Sequence, residues 1–401
     1  MQAVTANSIL ERPSVAAPTI CTIIAKNYLA HARVLTASFL EHHPTGRSYV
    51  LVIDEHAGYF DATAERFTLV TLNDLALPKP RNTFLFQYSL VELATAVKPF
   101  FFRYLFDNVG VKTVVYLDPD ILVTAALDPL VSRLRECVSG VLLTPHTDTD
   151  YPDDGLWPDT RLLLQYGVFN LGFLGLRDGV VARQLLDWLE MKLRTGCVND
   201  PTHGYFLDQK FFDLSIALFD GLEIERRPGY NVGWWNFHSR VLSRAANGSW
   251  LCNGEPLVFF HFSWYMPDCP EVFSRDLTRY QPADRSDLQM IYSYYRDRLL
   301  QSGYEQCRQW PYSHDYFCIN GKIKHKPRIP IQLRRIYLYS PSLQRRVPEP
   351  FVSLELFRVA VRMQAVTAFK QILYFYIARF CKATGFHPRK MLRTILKINP
   401  G

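Results

Sequence analysis

The chain reads as an α/β protein with a mostly parallel sheet, followed by a basic, helix-prone extension. Three observations carry this. Short apolar runs, ICTIIA (20–25), YVLVI (49–53) and TVVYL (113–117), alternate with stretches at helical spacing. The runs are apolar at consecutive positions, as in strands buried on both faces. Asn27, Asp54 and the Asp118/Asp120 pair then fall just past their C-terminal ends, where sheets of this class bind ligands.

The elements follow in order. Residues 1–17 read as a loose tail, and Ile20–Ala25 as the first strand. Leu29–His42 carries Leu29, Val34, Leu35 and Phe39 at helical spacing. Strands are expected at Tyr49–Ile53 and near Phe67–Val70, then a helical stretch over about 89–108 that Pro99 bends or splits. Thr113–Leu117 and Val138–Leu143 are the next strands. Thr144–Asp159 resembles a calcium loop only superficially, because Asp153 stands where the turn glycine belongs; it reads as a mobile flap. Helices are expected at Val181–Leu193 and Gln209–Leu218, and a last strand at Pro256–Phe262. The expected organisation is a tail (1–17), one α/β domain (18–320) and a basic, mainly helical extension (321–401).

Composition bounds the function. Hydrophobic content of 48% and charged content of 21% suit a soluble globular protein of 401 residues. The eight cysteines form no C-x-x-C, which argues against a zinc ribbon or a disulfide scaffold and for free thiols in a reducing compartment. MQAVTANSILERPSVAAP has no basic stretch followed by an apolar one, so no signal peptide is expected, and no run is apolar enough to span a membrane. MQAVTA recurs at 363–368 without a longer repeat around it. Residues 322–401 hold 17 of the 45 Lys+Arg but two of the 38 acids, a net +15; the remainder holds 28 bases and 36 acids, a net −8. A basic tail on an acidic body points to an anionic surface, or serves as a solubilising face. No nucleic-acid motif accompanies the charge, so nucleic acid is not expected as a partner.

In VVYLDPDILV (114–123), Asp118 and Asp120 are two positions apart. Side chains at i and i+2 of an extended segment share a face, so both carboxylates can meet one point. Three readings stand: a Mg²⁺ or Mn²⁺ site, a phosphatase nucleophile with its acid, or a strand-end turn. The phosphatase pattern expects a small residue or Thr after the second Asp, whereas Ile121, Leu122 and Val123 follow here.

Five motifs occur in order: VVYLDPDILVTAALDPL, FNLGFLGLR (169–177), LDQKFFDL (207–214), PGYNVGWWNFHSR (228–240) and PLVFFHFSWY (256–265). Together they resemble bacterial nucleotide-sugar glycosyltransferases of the GT-A fold, the glycogenin-like and lipopolysaccharide galactosyltransferase-like group above all, over roughly 18–280. The resemblance implies a D-x-D pair, Asp118 and Asp120, and a third metal ligand, His261, for Mn²⁺ or Mg²⁺. It places Asn170 beside the donor sugar, and Asp208 and Gln209 on the transferred sugar; Asp208 also stands where a helix N-cap would. It places Ala25, Asn27, Lys98 and Asn231 around the nucleotide donor, with Arg103 nearby; an exposed helix face is the alternative for Lys98 and Arg103, and Asn236 shares with Asn231 a loop dense in Trp and Tyr. Trp234 and Trp235 are either sugar platforms or core. Relatives often carry Gly where Trp264 stands, and Arg275 and Arg279 are the replacement cations for a diphosphate.

The implied reaction moves a sugar from a nucleoside-diphosphate donor, UDP-linked, to a hydroxyl of a glycan or lipid-linked acceptor in surface polysaccharide synthesis. The group retains anomeric configuration; an inverting enzyme would draw its base from Asp153, Asp154 or Asp208. The alternatives are a phosphatase using Asp118/Asp120 and a sugar-binding protein without turnover. A cytoplasmic enzyme whose segment 351–380 lies on an anionic membrane face, or caps the domain, completes the expectation.

Overall fold

The computed structural model describes residues 17–275 and 277–367. They form two compact units: one holds residues up to Pro78 together with Leu90–Tyr312, the other Lys79–Ser89 together with Ser313 onward.

The first unit is built on a seven-stranded sheet. Its strands are β1 (Thr19–Ile24), β2 (Arg47–Val52), β3 (Thr68–Thr71), β4 (Thr113–Leu117), β6 (Val141–Leu143), β7 (Phe173–Arg177) and β8 (Glu223–Ile224), in the order β8-β6-β7-β4-β1-β2-β3; β5 (Ile121–Val123) lies outside it. All pairs are parallel except those made by β7, which runs against both β4 and β6. β1 is buried at all six positions, as a strand covered on both faces must be. The chain runs outward from β1 to β3 and then returns to β4 on the other side of β1. The strand order therefore reverses between β1 and β4, and a crevice at the C-terminal ends of those two strands is the favoured ligand position.

Beyond β4 the chain turns at Pro119 into β5, which leaves the main sheet and pairs antiparallel with β9 (Phe259–His261). In register, Ile121 faces His261, Leu122 faces Phe260 and Val123 faces Phe259. All six are buried, so apolar packing holds the two short strands together. The expected helix over 89–108 is two helices, Leu90–Ala96 and Lys98–Asp107, split where Pro99 enters the first turn of the second. Arg103 ties the second of these to the helix Val180–Leu193 through Asp187 and Glu190, at 2.6 and 2.7 Å. It thus serves packing between helices, the exposed-face role, and Lys98 alone of the two turns inward.

The second unit has its own core of Phe86, Phe317, Ile319, Leu333 and Tyr337 among others. Arg334, 1% exposed, donates from Nη1 to the carbonyls of Phe86 and Tyr88 at 2.8 and 2.7 Å, and from Nη2 to that of His314 at 2.7 Å. This explains why 79–89 folds with the C-terminal segment. Composition placed the change near residue 320; the cores divide the chain at Tyr312/Ser313 and add Lys79–Ser89. Surface charge marks where composition shifts, whereas buried apolar contacts mark where a core ends. The helix at 354–367 runs to the edge of the described residues, so the rest of the expected segment 351–380 lies outside them, as do the tail 1–16 and the end of the second MQAVTA.

Gly229 sets the approach to β9: its carbonyl accepts from Val258 at 2.7 Å, and a Cβ there would lie 2.0 Å from the Pro256 carbonyl oxygen. Gly229→Ala is expected to lower stability by about 1–3 kcal/mol through overpacking, measured by urea unfolding. Wild-type stability in that variant would show that the strand tolerates displacement.

Candidate metal centre

β4 ends in Asp118, whose N–H donates to Gly172 at 2.8 Å and so extends the β4–β7 ladder by one residue. Asp120 follows after Pro119, and its carbonyl accepts from Phe262 at 2.9 Å. The β5–β9 register therefore brings His261 beside Asp120 across the sheet end. His261 Nε2 lies 3.1 Å from Asp120 Oδ1 and 3.7 Å from Asp118 Oδ2. One ligand atom from each of the three falls within 4.8 Å of the others. The imidazole is 3% exposed, while the two carboxylate side chains are 31% and 21% exposed, so the group opens to solvent on the carboxylate side.

Donor chemistry tests what this group can hold. Two carboxylates and an imidazole on one side, with the other side open, suit Mn²⁺ or Mg²⁺ that keeps water or phosphate oxygens as remaining ligands. Burial alone would push the His261 imidazole towards neutrality, but Asp120 and Asp118 outweigh it and raise its pKa. Burial likewise works against the Asp120 carboxylate, and His261 outweighs that, so Asp120 is lowered. Each group thus favours positive charge at the point where the three meet.

A second charged pair lies beside the first. Buried Lys98 donates to Asp208 Oδ2 and to the Leu171 carbonyl, both at 2.9 Å, and sits 4.5 Å from the centre of the Tyr116 ring. Burial opposes its charge, but Asp208 and Asp118 outweigh it and raise the Lys98 pKa. Burial also raises Asp208, against the pull of Lys98. Tyr116 donates its hydroxyl to Asp118 Oδ1 at 2.6 Å; it shares a strand face with Asp118, so its role was readable from the i, i+2 spacing. Asp208 makes no side-chain cap bond to the helix Gln209–Leu218, so its carboxylate serves Lys98 instead of the helix end. Gln209 accepts from Leu171 N–H at 3.4 Å and donates to the Tyr166 carbonyl at 2.9 Å.

The amides form a buried cluster behind His261. Asn231, 0% exposed, donates from Nδ2 to Thr144 Oγ1 at 2.7 Å and to Asn170 Oδ1 at 3.1 Å, and its Oδ1 lies 3.2 Å from His261 Nδ1. Asn170 Oδ1 also accepts from Gly172 N–H at 3.1 Å, and its Nδ2 lies 3.3 Å from His146 Nε2. Asn236 donates to the carbonyls of Asn231 and His146. Sequence reasoning missed Thr144, His146 and Gly172. Gly172 stands in FNLG, where a Cβ would come 2.2 Å from His261 Cε1; Thr144 and His146 carry no local signal.

Ala25 and Asn27 sit at the end of β1, across the switch point from Asp118. Ala25 is buried, and Asn27 Oδ1 is a buried acceptor with no partner among the described residues. Trp234 and Trp235 are 7% and 2% exposed, so both are core. Arg279 is engaged: it pairs with Asp154 and donates to the carbonyls of Leu156 and Pro158, tying down the loop read as a flap, while Arg240 holds Asp148 at 2.9 Å. Arg275 instead lies exposed, 3.8 Å from the centre of the Trp264 ring. Trp264 has φ +61°, the left-handed backbone that glycine adopts readily, so the change of residue keeps the turn. Three of the five described non-glycine residues with left-handed backbone, Leu207, Asn231 and Trp264, adjoin this site.

No protein-family model matches the chain. Over 284 residues it is 25% identical to an uncharacterized protein, YfnF, of Bacillus subtilis (strain 168), covering 70% of this chain and 90% of that one. Among solved structures, it is similar to a galactosyltransferase, LgtC, in complex with donor and acceptor sugar analogs, at 16% identity, 70% of this chain, 95% of that chain and a TM-score of 0.38. It is also similar to the glycosyltransferase GlyE of Streptococcus pneumoniae TIGR4, at 14% identity, 76% and 68% coverage and a TM-score of 0.39. Mouse xyloside xylosyltransferase 1 gives 13% identity, 61% and 97% coverage and a TM-score of 0.38.

Two buried histidines near the site, His31 and His146, have pKa values lowered by burial to about 4. Unfolding returns them to about 6.5. The unfolded chain then binds more protons between those values, so stability is present above about pH 6.5 and lost as pH falls towards 4. His31→Leu is expected to reduce the slope of unfolding free energy between pH 5 and 6 by about 1 kcal/mol per pH unit, measured by urea unfolding with EDTA present. An unchanged slope would mean that His31 is protonated in the fold.

Proposed function

We propose that this chain is a metal-dependent glycosyltransferase of the GT-A type. It transfers a sugar from a nucleoside-diphosphate donor, a UDP-sugar, to a hydroxyl of a glycan or lipid-linked acceptor in surface polysaccharide synthesis, with retention of configuration. The observation that carries this reading is the meeting of Asp118, Asp120 and His261 at the switch point of the sheet, from motifs about 140 residues apart. The five motifs in order support the same reading.

Asp118, Asp120 and His261 would hold Mn²⁺ or Mg²⁺. A divalent cation bound there stabilises the charge on a departing nucleoside diphosphate. Ala25 and Asn27 frame the base, and the unpartnered Asn27 Oδ1 suits the imide N–H of uracil. Lys98 orients the Asp208 carboxylate, and Asp208 with Gln209 and Asn170 lines the place of the transferred sugar. Of the three candidate bases, Asp154 is paired with Arg279 and Asp208 with Lys98, which favours retention, while Asp153 is exposed on the loop 144–159. Binding aligns the acceptor hydroxyl with the anomeric carbon.

Among the described residues no helix is long and apolar enough to cross a membrane. We place the enzyme in the cytoplasm, with the basic segment 322–401 touching an anionic inner membrane face. Full-length protein is expected to co-sediment with anionic vesicles, less so at high salt. Equal recovery after removal of 322–401 would reject the contact.

Sugar transfer or donor hydrolysis is expected to vanish with EDTA and return with Mn²⁺, and to fall by about 10²-fold or more in Asp118→Ala and His261→Ala. Full activity of either variant would exclude the metal reading. Magnesium-dependent phosphate release from phosphomonoesters, without sugar transfer, would favour the phosphatase.

A further inference from the structure

We infer that Asn231 is a positioning residue: it fixes His261 in the tautomer that carries hydrogen on Nδ1 and so directs the Nε2 lone pair to a divalent cation held with Asp118 and Asp120. This rests on the metal reading above. The hydrogen-bond directions follow from a group that has no choice. The backbone N–H of Gly172 can only donate, and it meets Asn170 Oδ1 at 3.1 Å. That turns the NH₂ of Asn170 to His146 Nε2, 3.3 Å away.

Asn170 Oδ1, already an acceptor, also meets Asn231 at 3.1 Å, so the Asn231 atom facing it is the donor Nδ2. The Thr144 hydroxyl accepts a further bond from Asn231 Nδ2 at 2.7 Å, while its own hydrogen is directed to the Asn170 carbonyl at 3.5 Å. Both hydrogens of the Asn231 amide are thereby placed. Oδ1 is left facing His261 Nδ1 at 3.2 Å. An amide oxygen accepts only, so Nδ1 must donate. In the neutral, metal-binding imidazole that is the one N–H, which leaves Nε2 as the lone-pair atom.

Nε2 then faces Asp120 at 3.1 Å and Asp118 at 3.7 Å. Positive charge belongs between Nε2 and the two carboxylates: in the metal-free site the Nε2 proton supplies it, and a divalent cation that takes its place meets the Nε2 lone pair, because the Nδ1–H stays with Asn231. Backbone and packing keep the amide in place. Asn231 has φ +50°, which Asn tolerates better than most residues, and its carbonyl accepts from Asn236 at 3.1 Å. The imidazole packs against Gly172, where a Cβ would come 2.6 Å from Nδ1, and edge-on to Trp235 at a centroid distance of 5.0 Å.

The test compares wild type, Asn231→Ala, Asn231→Asp and His261→Ala. Mn²⁺ affinity is measured by calorimetry, and the His261 tautomer by long-range ¹H–¹⁵N correlation in the protein loaded with diamagnetic Mg²⁺. Wild type is expected to bind Mn²⁺ and to show the Nδ1–H form. Asn231→Ala is expected to bind Mn²⁺ about 10–100-fold more weakly and to lose that tautomer preference. Asn231→Asp keeps an acceptor for Nδ1–H at a residue suited to left-handed backbone but sets an oxygen against Asn170 Oδ1, and is expected to keep the Nδ1–H form while binding Mn²⁺ with an affinity between those of wild type and Asn231→Ala. A folded Asn231→Ala with wild-type affinity and tautomer overturns the inference alone, as does equal loss in the Ala and Asp variants. If Asn231→Ala does not fold, Thr144→Val, which removes one bond orienting the Asn231 amide, is expected to weaken Mn²⁺ by about tenfold; unchanged affinity overturns the inference. Absence of Mn²⁺ binding by wild type, or binding unaffected in His261→Ala, overturns the metal reading and the inference with it.

Discussion

The three-residue antiparallel pairing of Ile121–Val123 with Phe259–His261 is the contact on which the site depends. It joins segments about 140 residues apart and brings an imidazole to the two carboxylates. Side chains alternate along a strand, so a slip of one residue would carry His261 to the opposite face. The register is secured because every paired side chain is buried, and because Gly229 and Thr124 bond to the strand entering from 256–258. Apolar packing at β5 and β9 is therefore what allows polar chemistry beside it.

The charges around this pairing are balanced locally. Asp118, Asp120 and Asp208 gather near Lys98 and His261, with Tyr116 donating to Asp118. Isolated, any of these charges would be costly at such depth; together each is offset by a neighbour, leaving the carboxylate side open. Backbone strain accumulates at the same place, in Leu207 before Asp208, in Asn231 behind His261 and in Trp264 after it. Glycine at 172 serves the opposite end, removing a side chain where the imidazole must pass.

The strands at β1, β2 and β4 were legible because runs apolar at consecutive positions fit only burial on both faces, and the helices Leu29–His42 and Gln209–Leu218 because their periodicity was clear. β7 was missed: FLGLR contains Gly175, which lowers strand propensity, yet it sits where a Cβ would come 3.0 Å from Leu134. The helix Ser286–Gln301 was missed although Leu288, Ile291, Tyr292, Tyr295 and Leu299 recur at helical spacing, because tyrosines obscured its apolar stripe. The inclusion of Lys79–Ser89 in the second unit was not legible, since the carbonyls that Arg334 binds leave no mark on residue type.

By itself the sequence determined the α/β class, the strand-end position of Asp118 and Asp120, and their shared face, because period and spacing are local properties of the chain. It also pointed to His261, through motif order. Only the tertiary structure decided that Asn231 backs His261, that Lys98 answers Asp208, that Arg279 belongs to the loop and that Trp234 and Trp235 are core. Those outcomes depend on which atoms meet after distant segments pack, and hydrogen-bond direction is set by the partners that packing supplies.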